Sequence, residues 1–206
     1  RKLLERLPMY YHYLDEKCRD GVQYISAPAI AGDLQLNEVQ VRKDLESVSK
    51  TAGKPKLGYV TQELFLDLEE FLGYRNRNEA ALVGAGSLGR ALLSYRGFER
   101  YGVEIVTAFD KDEELVGTHI NGKAVLSADK IENICRRLGI SIGIIAVPAQ
   151  SAQEVCDRLV SAGVQAIWNF APVHLTVPPP VLVQNENMAV SLAMLSKHLF
   201  ELNRDQ

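Results

Sequence analysis

The chain has 206 residues, 47% of them hydrophobic and 24% charged, with a formal net charge of −3. That length fits one large domain or two ordinary ones, and the composition is that of a globular protein that folds in water rather than of a disordered or fibrous chain. No apolar run reaches the roughly 18–20 residues of a bilayer span, no charged segment leads into an apolar signal core, and the acidic balance gives no global field toward nucleic acid.

Residues 7–19 predict a helix, with Pro8 in its first turn and Gly21 past its end. Ser26 is placed to cap a short helix over residues 27–34. After the tight connection Leu34-Gln35-Leu36, Asn37 opens a third helix that runs to about Val48, and Gln40 is spaced to complete a capping box. Val41, Leu45 and Val48 recur at i, i+4 and i+7 and predict one buried stripe. The other face carries Gln40, Arg42, Lys43, Glu46 and Ser47. Two short helices joined this way, the second polar on its outer side, describe a helix-turn-helix.

Lys50, Lys54 and Lys56 punctuate the next stretch, which Gly53, Pro55 and Gly58 bend. This reads as the wing of a winged helix, with its backbone near phosphates and its lysines as counter-charge. Residues 37–58 hold five cations against three anions, a local excess of +2. The DNA-contact candidates are Asn37, Gln40, Arg42, Lys43, Lys50, Lys54 and Lys56. Thr61 opens a further helix to about Leu72, and the polar segment from Gly73 to Asn78 reads as a linker.

Beyond it the texture changes. Apolar runs at residues 80–83, 103–109, 123–126, 140–147, 164–169 and 181–183 predict strands, alternating with helices over 88–101, 128–138 and 151–162. Such alternation predicts a doubly wound parallel sheet, a Rossmann domain of class α/β. The boundaries drawn are 1–76 for a DNA-binding winged helix and 77–206 for the nucleotide domain. A last helix over about 188–203 is broadly apolar and needs a covering partner, for which a second subunit is the candidate.

The first strand runs into Gly84-Ala85-Gly86-Ser87-Leu88-Gly89, a G-x-G-x-x-G turn opening a helix. The three glycines serve a tight turn, close approach of a pyrophosphate and close helix packing, and the helix N-terminus faces the phosphates. Asp110, 21 residues past Gly89, is spaced to accept the adenosine ribose hydroxyls, and Lys111 follows it. A carboxylate there repels a 2′-phosphate, so the expected cofactor is NAD(H). Val147-Pro148-Ala149 and Asn169-Phe170-Ala171-Pro172 follow strands at the ligand-binding edge and are candidates for the nicotinamide half.

Catalysis is not expected. No substrate domain follows the nucleotide domain. His119 falls in an expected loop, His198 on the last helix, and His174 alone lies near the ligand edge without a telling partner. Cys18, Cys135 and Cys156 are odd in number and widely spaced, so neither a disulfide framework nor a metal site is expected, and reducing, cytoplasmic surroundings are. The alternatives carried forward are a small NAD-dependent oxidoreductase, and a DNA-binding regulator whose nucleotide half is structural or takes another ligand.

With these segments in place the chain resembles the Rex family of redox-sensing transcriptional repressors over essentially its whole length. The likeness rests on Arg6-Leu7-Pro8-Met9-Tyr10-Tyr11, Gln40-Val41-Arg42-Lys43-Asp44-Leu45, the glycine turn, Tyr95-Arg96-Gly97-Phe98, Phe109-Asp110-Lys111-Asp112, Ala146-Val147-Pro148-Ala149 and Asn169-Phe170-Ala171-Pro172-Val173. The resemblance implies a homodimer with a swapped C-terminal helix starting near Met188, binding to an A/T-rich inverted repeat in double-stranded DNA, and release of that operator when NADH is bound. It also implies a redox-dependent contact of a tyrosine, here Tyr95, with an arginine and an aspartate. At those two positions this chain has His12 and Asn187. An aspartate near the nicotinamide would distinguish the positive ring of NAD⁺ from NADH by on the order of 1–4 kcal/mol, and Asn187 has no charge to offer.

Overall fold

The computed structural model describes residues 2–204 and divides into two compact units, Arg1–Asn76 and Arg77–Gln206. The first holds α1 (Lys2–Arg19), β1 (Tyr24–Ile25), α2 (Ala27–Asp33), α3 (Glu38–Val48), β2 (Tyr59–Val60) and α4 (Thr61–Phe71). Leu7, Tyr10 and Leu14 on α1, Ile30 on α2, Val41 and Leu45 on α3, and Leu64 and Leu68 on α4 converge in one apolar core.

Helix α1 begins at Lys2, so Pro8 lies inside it rather than in its first turn. An interior proline costs roughly 3 kcal/mol in an isolated helix. Here the helix persists because Leu7, Tyr10 and Leu14 beside the proline are fully buried. At the other end Gly21 takes φ +75°. Its N–H bonds Cys18 O at 3.1 Å, and that of Val22 bonds Lys17 O at 3.0 Å, the Schellman closure.

Ser26 caps α2 by accepting from the Ala29 N–H at 3.3 Å, and Asn37 caps α3 by accepting from the Gln40 N–H at 3.1 Å. The expected capping box is only half made. The Gln40 side chain turns forward instead, and its amide donates to the buried Asp44 carboxylate one turn on at 2.8 Å, a charge-assisted bond. Val41, Leu45 and Val48 form the buried stripe, as their spacing requires. Between α3 and α4 the chain makes a tight hairpin over residues 54–58. Gly58, at φ +81°, lies against the Ile25 carbonyl where no Cβ fits. Strand β2 then pairs antiparallel with β1, a two-residue ladder too short for sequence periodicity to reveal.

The second unit holds β3 (Asn78–Val83), α5 (Ser87–Ser94), β4 (Val103–Asp110), β5 (His119–Ile120), β6 (Lys123–Ser127), α6 (Ile131–Leu138), β7 (Ile142–Ile145), α7 (Ala149–Ser161), β8 (Ala166–Asn169), β9 (Leu182–Asn185) and α8 (Met188–Arg204). The sheet order is β5-β6-β4-β3-β7-β8-β9. All neighbours pair parallel except β5, which runs antiparallel to β6 at the edge, so His119 stands in a short strand and not in a loop. Without that edge strand the order is the doubly wound one, and β3 is central. Its side chains alternate, with Ala81 and Val83 packed on one face and Ala80 and Leu82 on the other.

The helix expected over 88–101 is two pieces. Helix α5 ends at Ser94, Tyr95 is extended, and a 3₁₀ turn covers Arg96–Tyr101. With Tyr95 extended, its ring lies on the backbone of Gly97, in the space a Cβ there would occupy. Cys135 and Cys156 are buried in the core, and burial pushes each thiol up to about 11. Among the described residues no His/Cys/Asp/Glu cluster could hold a metal ion, and no helix is long and apolar enough to cross a membrane.

Candidate nucleotide cradle and DNA-reading face

The cradle is built from backbone. At the end of β3 the Gly84 N–H bonds Phe109 O at 2.8 Å, and the chain turns at φ +99°. A Cβ on Gly84 would stand 2.5 Å from Ala146 O, and one on Gly89 would overlap Gly84 O. Gly86 is different, since a Cβ there would meet nothing within 4 Å. Two glycines are thus demanded by packing, while the third leaves open space over the first turn of α5. No side chain caps that turn, so the amides after Gly86 point outward without a capping partner.

Asp110, at the end of β4, locks the loop. One carboxylate oxygen accepts from the Ala85 N–H at 2.6 Å and the other from the Asp112 N–H at 3.0 Å. Its remaining lone pairs face a cavity of about 330 Å³ that Gly84, Gly86, Lys111, Val147 and Pro148 also line. The wall is completed from α7 by Ser151, Glu154 and Arg158. Arg158 forms a bidentate pair with Glu132 of α6, at 2.6 and 2.7 Å. The Arg158 guanidinium holds the Glu132 carboxyl below its ordinary range, and the pair ties the two helices beneath the cavity. Sequence spacing gave no sign of it, because the partners lie 26 residues apart.

The expected site is only partly assembled around this cavity. Ala85, Ser87, Leu88 and Gly89 shape the turn, and Ala149 starts α7, without lining the cavity. The segment Asn169-Phe170-Ala171-Pro172 does not line it either. Asn169 is fully buried. Its amide donates to Val173 O at 2.9 Å and to Asn185 Oδ1 at 2.9 Å, and its oxygen accepts from the Ala171 N–H at 3.0 Å. The side chain is spent on shaping its own turn and tying it to β9. Phe170 packs on Trp168 at 4.5 Å with the rings tilted, and Phe98 meets Trp168 edge-on at 5.5 Å.

On the other unit, α3 presents Gln40, Arg42, Lys43, Glu46 and Ser47 outward. What holds it is Asp44, only 3% exposed. Asp44 accepts from Arg6 at 2.7 and 2.9 Å, from the Tyr10 hydroxyl at 2.9 Å and from Gln40 at 2.8 Å. Burial alone would raise its pKa, but the bonds from Arg6, Gln40 and Tyr10 outweigh burial and the net shift is downward. Tyr10 is pushed up to about 12, by burial first and by Asp44 second. By sequence Asp44 counted only as one negative charge among the cations; the clue it offered was its place beside Val41 and Leu45 on the inward side.

The DNA-contact candidates differ in how free they are. Arg42 pairs with Glu38 at 2.6 Å along α3, and Lys43 is exposed. Lys54 lies over the Tyr24 ring at 5.7 Å, and Lys56 sits at the hairpin tip at φ +64°. Arg42, Lys54 and Lys56 share with Glu46 and the first turn of α2 a groove of about 880 Å³. Lys50 points elsewhere. Its ammonium pairs with Glu70 at 2.6 Å and its N–H bonds Asp67 at 2.8 Å, both on α4.

Of the remaining candidates, His12 is exposed on α1 with its ring 6.1 Å from that of Tyr11. Tyr95 is 58% exposed and meets Phe98 edge-on at 4.9 Å. Asn187 caps α8 by accepting from the Val190 N–H at 3.0 Å. Met188 begins a helix with no buried residue, whose Met188, Leu192, Leu195 and Leu199 lie open in the single chain.

Known proteins match both units. Residues 75–173 fit a family described as "CoA binding domain", and residues 1–46 one described as "Putative DNA-binding protein N-terminus". The "Redox-sensing transcriptional repressor Rex" of Treponema denticola is 41% identical over 93% of this chain and 91% of its own length. That of Carboxydothermus hydrogenoformans is 42% identical over 98% and 95%. The chain belongs to the Rex family. Among solved structures, RSP in complex with β-NAD⁺ and operator DNA superposes on this Rex chain with a TM-score of 0.93, 34% identity and coverage of 98% and 93%. RSP in complex with β-NADH gives 0.85, 33%, 98% and 95%. These relatives carry the names of regulators and not of enzymes, so the family membership and the non-enzymatic class expected from the residues both stand.

Proposed function

We propose that this chain is a DNA-binding transcriptional repressor that senses the NADH/NAD⁺ ratio and releases its operator when NADH is bound. The observation that carries the reading is one chain holding both a charged helix anchored from behind and a glycine cradle closed by Asp110. NAD(H) belongs in that cradle. The pyrophosphate lies over Gly86 and the outward amides of Ser87 and Leu88, and Asp110 accepts the adenosine ribose hydroxyls. Val147 and Pro148 line the way toward the nicotinamide. The bound ring supplies the signal by carrying a positive charge in NAD⁺ and none in NADH; the protein supplies position and a differential contact.

On DNA, Arg42 and Lys43 lie in the major groove, while Lys54 and Lys56 supply charge to phosphates from the hairpin. The functional species is a cytoplasmic homodimer on an A/T-rich inverted repeat. The exposed apolar residues of α8 support it, since a helix with this surface needs a partner.

One observation favours a second reading, in which redox discrimination is weakened. Asn187 is an uncharged cap, and no carboxylate stands at that position to prefer one nicotinamide state. Fluorescence anisotropy of a labelled inverted repeat from the protein's own promoter separates the two. The expected result is that saturating NADH lowers affinity and NAD⁺ does not. Equal effects of both establish the weakened switch, and no effect of either removes NAD(H) as the signal.

A further inference from the structure

Val39 occupies the second position of α3 and is 61% exposed, the one apolar side chain among the exposed residues of that helix. A side chain this exposed contributes little to the fold, and valine forms helix less readily than alanine. Helical spacing puts it on the same face as Arg42 at i+3, Lys43 at i+4 and Glu46 at i+7. Its neighbours in that first turn are already engaged within the protein. The Asn37 side chain caps the helix, Gln40 donates to Asp44, and Arg42 pairs with Glu38. The part of a recognition helix that reaches base edges is its N-terminal end. Here that end offers DNA a pair of methyl groups.

We propose that Val39 is a specificity-determining residue that reads the 5-methyl group of a thymine in the major groove. Thymine is the base that presents a methyl there, and apolar side chains are its complement. Gln40 and Arg42 reach base edges only in competition with Asp44 and Glu38; Val39 has no such competitor. The proposal rests on the DNA-binding reading above and adds which residue discriminates and which chemical group it recognises.

The test separates the two. The wild-type chain is used to enrich duplexes from a library with a random 24-base-pair core, and the tightest is remade with each thymine replaced in turn by deoxyuridine, which lacks only the methyl. Wild type, Val39→Ala and Val39→Thr are titrated against each duplex at fixed salt. At one or more thymines per half-site the loss of the methyl is expected to weaken wild-type binding about fourfold, the equivalent of one buried carbon. Val39→Ala should show no loss at those positions, and Val39→Thr, which keeps one γ-methyl, part of it. Thymine effects that are the same for wild type and Val39→Ala at every position overturn the role of Val39 and leave DNA binding intact. Failure of the wild type to enrich any duplex overturns the DNA-binding reading itself, and the proposal with it.

Discussion

In the N-terminal unit the outward helix α3 is held from behind by a buried carboxylate, whereas in the C-terminal unit the cradle loop owes its close packing to atoms that are absent, the Cβ positions of Gly84 and Gly89, with the carboxylate of Asp110 bonded to its backbone. The first device is ionic and hydrogen-bonded, and it spans residues as far apart as Arg6 and Asp44. The second is mainly steric and local, contained in six consecutive residues and the two strands beside them, one of which brings Asp110. Ionic anchors respond to pH and to removal of a partner; steric ones respond only to added volume. A sensor whose two units are held by different forces can be perturbed in one unit at a time.

The largest separation should come from Asp44→Ala. It strands Arg6 and the Tyr10 hydroxyl in a mostly buried site, and breaking such a network costs roughly 3–5 kcal/mol. Trp168, the sole tryptophan, lies in the second unit. The expected outcome is a lowered unfolding midpoint by far-UV circular dichroism, loss of DNA binding, and unchanged NADH affinity and tryptophan emission. Concurrent loss of NADH binding would show that the two units are not held independently.

Gly89→Ala is the converse. The added methyl overlaps Gly84 O, and overpacking of this kind costs typically about 1–3 kcal/mol. NADH titration should show at least a tenfold loss, with cofactor-free DNA binding retained. Gly86→Ala meets no protein atom, so it should leave the thermal midpoint unchanged while weakening NADH through contact with the phosphates.

Acid should act unequally as well. The Asp44 pKa is depressed in the folded state, so its contribution is present above the unfolded value of about 3.9 and is lost as pH falls through the lower folded value. Between about pH 4 and that lower value, dichroism should report loosening of the first unit, while the more exposed Glu132–Arg158 pair of the second unit, which titrates in the same direction but is better screened, should move Trp168 emission less.

The smallest effect sharpens the picture of the DNA face. Lys50→Gln removes an exposed pair with Glu70 and should leave the unfolding midpoint nearly unchanged. It should also leave the salt dependence of operator binding unchanged, whereas Lys43→Gln should lower the slope of log K against log salt by about 1 per bound copy. Equal slopes for both variants would return Lys50 to the phosphate contacts.

What the sequence determined by itself was whatever depends on near neighbours. Periodicity gave the stripe Val41-Leu45-Val48, capping gave the starts of α2 and α3, and the glycine turn with Asp110 gave the cradle, because each is enforced by steric or hydrogen-bonding rules acting over a few residues or one βαβ unit. Tertiary structure decided the rest. It carried α1 through Pro8, since buried neighbours outweighed a local penalty. It turned Gln40 away from its capping box, broke the helix at Tyr95 and drew Lys50 onto α4. It committed Asn169 to its own turn, and it brought Arg6 to Asp44 and Arg158 to Glu132. In each of these cases the deciding partner is a buried group, a ring or a charge that local periodicity and capping rules did not point to. For Lys50, Arg6 and Arg158 that partner is distant in sequence and its approach is set by packing of the whole unit, whereas Gln40 and Asn169 have partners within four residues that became decisive only through burial.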